Sequence, residues 1–174
     1  MLESAASRLV DLLARPGELP EVSGRWRACE DIPMPRAVRL VTLADVNHDA
    51  DARRISVSAR HEAVLDDGRR VVLLDDRGWS ESLAGGGANE VADIWTLISE
   101  QDIAETARVV VGPDEPFDGR SQDEMETDHW NALAEGLQAH GVIVEARELM
   151  ELPHDVVLGE ALLARLGRAS GDAA

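Results

Sequence analysis

Carboxylates dominate the chemistry open to this sequence. Between Gly112 and Asp128 stand seven of them, Asp114, Glu115, Asp118, Asp123, Glu124, Glu126 and Asp128, against a single base, Arg120. Asp123 and Glu124 fall where the Ser121/Glu124 spacing predicts the first turn of a helix, and negative charge is favoured there by the helix dipole. Asp114, Glu115 and Asp118 have no such use. They surround Phe117, the only phenylalanine in the chain, just after Pro113 and Pro116. A ring held on a proline-stiffened acidic loop has the form of an interaction anchor. Asp114, Glu115, Phe117, Asp118, Asp123 and Glu124 are therefore the candidate binding surface. The plainer alternative is a solvated loop leading into a helix.

Histidine beside carboxylate gives a second set, Asp128-His129 and His154-Asp155. A zinc or iron site needs three protein ligands in compact geometry, so these four residues form a metal site only if the elements carrying them converge. His129 and His140 are eleven residues apart, about 16 Å along one helix and too far to share a metal. The plainer assignment is a partly buried or capping role for each histidine, with Asp155 as a helix N-cap. In Asp45-Val46-Asn47-His48-Asp49-Ala50-Asp51, oxygen donors alternate as at the start of a calcium loop. The sixth position is Ala50 rather than glycine and the twelfth is Ser56 rather than glutamate. A polar hairpin loop accounts for it better.

Other chemistries lack their residues. No serine sits in a Gly-x-Ser-x-Gly turn. Gly85-Gly86-Gly87 belongs to no phosphate-binding motif, and Pro113 would remove an amide from any cradle at Gly112. The chain has no lysine, so all 17 basic residues are arginine, which excludes Schiff-base and phosphate-loop lysines. A GC-rich coding sequence explains this menu, and bidentate arginine pairing would be its functional counterpart. Cys29 is the only cysteine, which excludes an intramolecular disulfide or thiolate cluster. Its neighbours Glu30 and Asp31 would disfavour a thiolate. No catalytic residue and no cofactor are assigned.

Charge is unevenly distributed. Residues 88–174 hold 19 Asp and Glu against five Arg, net −14, of the −17 carried by all 174 residues. Such a field repels nucleic acid and anionic membranes and attracts basic partners. The N-terminus has neither a basic nor an apolar signal region, and no apolar run approaches a membrane span, so a cytoplasmic protein is expected.

The elements that must position these groups follow from periodicity. Residues 2–14 place Leu2, Ala5, Ala6, Leu9, Leu12 and Leu13 at helical spacing, ended by Pro16-Gly17. An irregular connection over 16–35, anchored by Trp26, leads to a meander. Its strands are Ala37–Leu43, Ile55–Leu65 and Arg69–Leu74, the last two joined at Asp66-Asp67-Gly68. Ile55, Val57, Ala59, Ala63 and Leu65 share one face, which His61 interrupts. The run Val71–Leu74 predicts a strand covered on both faces. A fourth strand is expected at Asp93–Ile98, helices at Glu100–Val109 and from Ser121 to about His140, a short strand at Val142–Val144, and a last helix over Leu158–Leu166. Met125, His129, Leu133 and Leu137 recur along the second of these helices, and Gly141 is placed to close it.

Strands that precede helices imply an α+β fold. The expectation is an antiparallel β-meander of three to four strands, then helices packed on one face, plus one short later strand. The chain reads as a single α+β domain over 1–174, or as two lobes meeting near 80–90: an N-terminal helix and meander over 1–79 and an acidic, mainly helical lobe over 91–168. The function expected is that of a small acidic cytoplasmic protein-binding or regulatory protein that engages a basic partner. The alternative is a metal-assisted hydrolase using Asp128, His129, His154 and Asp155. Homo-oligomerisation through the N-terminal helix is a further option.

Overall fold

Alternating apolar residues and tight turns build a sheet, and the computed structural model, which describes residues 34–83 and 93–171, places that sheet at the centre. The expected helix over 2–14, the Trp26 anchor, Cys29 and the 85–87 glycine run lie outside the described residues. Strands β1 (Ala37–Val46), β2 (Arg54–Leu65) and β3 (Arg70–Ser82) form the antiparallel meander. A fourth strand, β4 (His154–Leu158), runs parallel to β1, giving the order β3-β2-β1-β4. Helices α1 (Glu100–Val110), α2 (Gln122–Gln138), α3 (Ala146–Met150) and α4 (Glu160–Gly171) complete the α+β fold.

The helices gather on one sheet face. Register puts Leu40, Thr42 and Ala44 of β1 beside Ala63, His61 and Ala59 of β2. It puts His154, Val156 and Leu158 of β4 on that same face. Two apolar clusters cover it. At one end Leu40, Ala63 and Leu65 pack with Leu133 and Leu137 of α2, Val142 and Leu149. At the other, Ala44, Ile55 and Val57 pack with Trp95, Ile103 of α1 and Leu162 of α4. Both clusters draw on residues before and after the 80–90 stretch. Each fully buried leucine or isoleucine contributes about 1.5–3 kcal/mol.

Helix ends follow the sequence closely. Ser99 with Asp102 and Ser121 with Glu124 form reciprocal capping boxes. At the far end of α2, the Val142 amide donates to the Leu137 carbonyl and the Gly141 amide to that of Gln138. Gly141 there has φ +76°. This is a Schellman closure, with Val142 and Leu137 buried together as its apolar contact.

Four expectations are corrected. Asp93–Ile98 is not a strand: Ile94–Leu97 forms one 3-10 turn, because the Asp93 carboxylate accepts from the Trp95 amide. The turn is fixed further by the Trp95 indole, which donates to the Asp51 carbonyl at 2.8 Å. Val142–Val144 is not a strand of the sheet, since the Val142 amide is already committed to closing α2. The later strand is His154–Leu158, where the sequence suggested an approach through His154-Asp155 to a helix starting at Leu158. Asp155 is therefore no N-cap; it sits within β4, 3.2 Å from Arg39. Asp45 caps α4 instead, accepting from the Leu162 amide across 117 residues. Finally, β3 is an edge strand and is not covered on both faces: Val72 is 38 % exposed.

Candidate functional site

The acidic loop joins α1 to α2, and its posture is set by a few bonds. Gly112 follows the end of α1, and the Arg77 guanidinium of β3 reaches across to Asp114, 2.5 Å and 3.5 Å from its two carboxylate oxygens. That pairing holds the Asp114 carboxyl below the usual aspartate range. The chain then reverses at Asp118 and Gly119, both with positive φ (52° and 77°), where aspartate and glycine are tolerated best. The Arg120 amide donates back to the Phe117 carbonyl, closing the turn on which the ring stands. Arg120 itself pairs with Asp128.

The six candidate residues therefore divide by role. Asp114 is tied to Arg77. Glu124 accepts from the amide and hydroxyl of Ser121, and those bonds lower its pKa, the backbone bond most. Asp118 makes the turn. Glu115 and Asp123 are exposed, and Phe117 is 54 % exposed although it is a large apolar ring. What faces solvent is an aromatic group among carboxylates, chemistry suited to a cationic and partly apolar partner surface.

A second polar group lies inside the fold, between the two apolar clusters. Thr42, fully buried, has its hydroxyl 2.9 Å from Nδ1 of His61 and 2.8 Å from Nε2 of His154. A hydroxyl has one proton to give, so with both rings neutral one offers a lone pair and the other an N–H. The two rings meet edge to face at 4.9 Å. Burial pushes the His61 pKa down to about 4, with His154 and His129 adding to the effect. Burial also lowers His154, helped by Arg108, and His129, helped by Arg77. These are histidines held neutral. Thr42 is out of solvent reach, which suits a structural bond rather than a nucleophile.

The residues of the metal alternative are dispersed. Alternation along β4 sends His154 and Asp155 to opposite faces, Asp128 pairs with Arg120, and His129 packs against Trp130 with ring centroids 5.2 Å apart. Among the described residues, no group of three or more His, Cys, Asp or Glu is placed to hold a metal ion. The Asp45–Asp51 stretch is the β1–β2 hairpin. Its carboxylates are already committed: Asp45 on α4, Asp49 with Arg54, and Asp51 with the Arg53 amide.

Sequence reasoning found His61 as a break in an apolar face but missed Thr42 and His154 as its partners. The signal for them was weak, because β4 was not expected. The meander arginines are largely occupied: Arg39, Arg54, Arg60, Arg69 and Arg70 each pair with an acid of this chain. No helix among the described residues is long and apolar enough to cross a membrane. Comparison with protein-family models, curated proteins and solved structures finds no match to this chain.

Proposed function

We propose that this chain is a small acidic cytoplasmic binding or regulatory protein that engages a basic protein partner through the Phe117 loop. The observation that carries the reading is Phe117 itself, displayed at 54 % exposure on a loop braced by the Arg77–Asp114 pair and by the Asp118-Gly119 reversal. Leaving a phenylalanine about half exposed forgoes about half of the ~1.5–3 kcal/mol that full burial gives, a cost that a partner surface would recover. Glu115, Asp118 and Asp123 around it would steer a basic partner and disfavour nucleic acid and anionic membranes.

The test is capture from host lysate at low and at high salt, with wild type beside Glu115→Gln, Phe117→Ala, Asp118→Asn combined. Asparagine keeps the left-handed conformation at 118, and Asp114 is left intact because it holds Arg77. A basic protein retained by wild type at low salt, released by salt and absent from the triple variant is the expected result. Equal capture by both proteins would remove the loop from the proposal.

A further inference from the structure

Beside the Phe117 loop, α2 and α3 enclose a groove of about 360 Å³, within the range of ordinary ligand pockets. Asp123, Glu126, Thr127 and Trp130 line it from α2, and Arg147 and Met150 line it from α3. The α2 residues stand at i, i+3, i+4 and i+7, one stripe of the helix. This stripe is distinct from the buried one of Met125, Leu133 and Leu137. Trp130 packs partly against the apolar core and against His129, so the aromatic wall is fixed in place. Met150 is 44 % exposed. Arg147 directs its guanidinium to Glu151 at 3.2 Å. Asp123 and Glu126 enter no ion pair among the described residues.

We infer that this groove seats an arginine or lysine side chain from an extended or helical segment of the basic partner, its stem against Trp130 and Met150 and its charge between Asp123 and Glu126. The inference rests on the binding reading and extends it to the form of the partner's contact. Charge complementarity selects the occupant: the groove's one cation, Arg147, is already paired with Glu151, and an apolar wall with two carboxylates outside any ion pair among the described residues suits a long side chain with a cationic end. An acidic segment would meet repulsion, and a purely apolar one would leave both carboxylates unpaired.

Calorimetric titration with a short capped peptide of Arg, Leu and Ala, beside the same peptide with Glu in place of Arg, tests it on the full chain. Wild type should bind the Arg peptide and not the Glu peptide. Asp123→Asn with Glu126→Gln should weaken binding about tenfold through the loss of two partly exposed charge contacts. Met150→Lys, which adds to the groove a second cation that has no carboxylate partner of its own on α3, should abolish it. Glu105→Gln on α1 removes a carboxylate outside the groove and should not change it. Urea midpoints for each variant establish that the fold is kept. Equal affinity for wild type and the α2 double variant, or no binding of the Arg peptide to wild type, overturns the groove. The loop reading is then judged separately by the Phe117-dependent capture. Spermidine binding to the groove as tightly as the Arg peptide, with the same dependence on Glu126, would also overturn the assignment to a partner segment.

Discussion

Acid should unfold this protein through its interior histidines before it does so through its carboxylates, and His61 sets the scale. The ring is 1 % exposed, and burial holds its pKa at about 4 instead of the ordinary 6.5. The sign follows from linkage. The folded state resists the proton, so the unfolded chain binds more protons below pH 6.5, and stability falls as pH falls. The contribution is complete above the unfolded pKa and is lost between about pH 6.5 and 4, at 1.36 kcal/mol per unit. For His61 alone this comes to about 2 kcal/mol at pH 5 and about 3 kcal/mol at pH 4. Burial likewise lowers His129 and His154, and they act in the same direction as pH falls below 6.5. The assay is urea unfolding at pH 7, 6, 5 and 4.5 for wild type and His61→Gln, whose amide can still bond the Thr42 hydroxyl. The variant should be less stable at pH 7. Between pH 7 and 5 it should lose about 2 kcal/mol less than wild type does. Parallel curves for the two proteins would refute the reasoning, as would an imidazole resonance of His61 that titrates near pH 6.5.

Further outcomes follow from particular contacts. Asp45→Ala removes the cap of α4 and should cost about 1–2 kcal/mol by urea midpoint; Gly159→Ala should cost at least as much, because its Cβ would collide with the Asp45 carboxylate. Gly78→Ala on β3 would bring a Cβ within 2.5 Å of the Val57 carbonyl, so the β2–β3 ladder must shift, read as a lowered thermal midpoint. Gly141→Ala meets no atom within 4 Å but must hold a positive φ in the closure of α2, which should cost about 1 kcal/mol. Arg77→Met should let the Asp114 carboxyl titrate nearer the ordinary aspartate range, seen by carboxyl carbon NMR, since the guanidinium is the main cause of its lowered pKa.

Much of the fold was legible because its signals are local. The β2 alternation, the Asp-Asp-Gly turn, both capping boxes and Gly141 are decided within a few residues, and each stands where those residues put it. The misses needed distant partners. His154–Leu158 becomes a strand only because β1 offers a parallel edge more than a hundred residues earlier in the chain. Leu-Pro-His-Asp reads equally well as a helix approach. Ile94–Leu97 is a short apolar run whose period cannot separate a strand from a single helical turn; the Asp93 cap and the Trp95–Asp51 bond decide it. The buried Thr42–His61–His154 group was half visible. His61 on an apolar face announced a satisfied interior polar group, but what satisfies it was fixed by sheet order, which no local pattern encodes.

The acidic stretch looks different once its structural debts are subtracted. Of the seven carboxylates between Gly112 and Asp128, Asp114 belongs to Arg77, Glu124 to the amide and hydroxyl of Ser121, and Asp128 to Arg120. Those three would be needed in a protein that bound nothing. Glu115, Asp118, Asp123 and Glu126 remain outside these bonds, although Asp118 also makes the loop reversal and Asp123 also suits the N-terminus of α2; the four are not scattered. Glu115 and Asp118 bracket the exposed Phe117 ring, and Asp123 and Glu126 border the Trp130 groove. Solvation alone asks for charge somewhere on a surface; it does not ask for each surplus charge to stand beside an aromatic side chain. Glu115 and Glu126 enter no ion pair among the described residues and stand in no first helical turn, so stability gives little reason for their placement either. A partner that is at once basic and apolar is the one surface that would use both halves of each pairing.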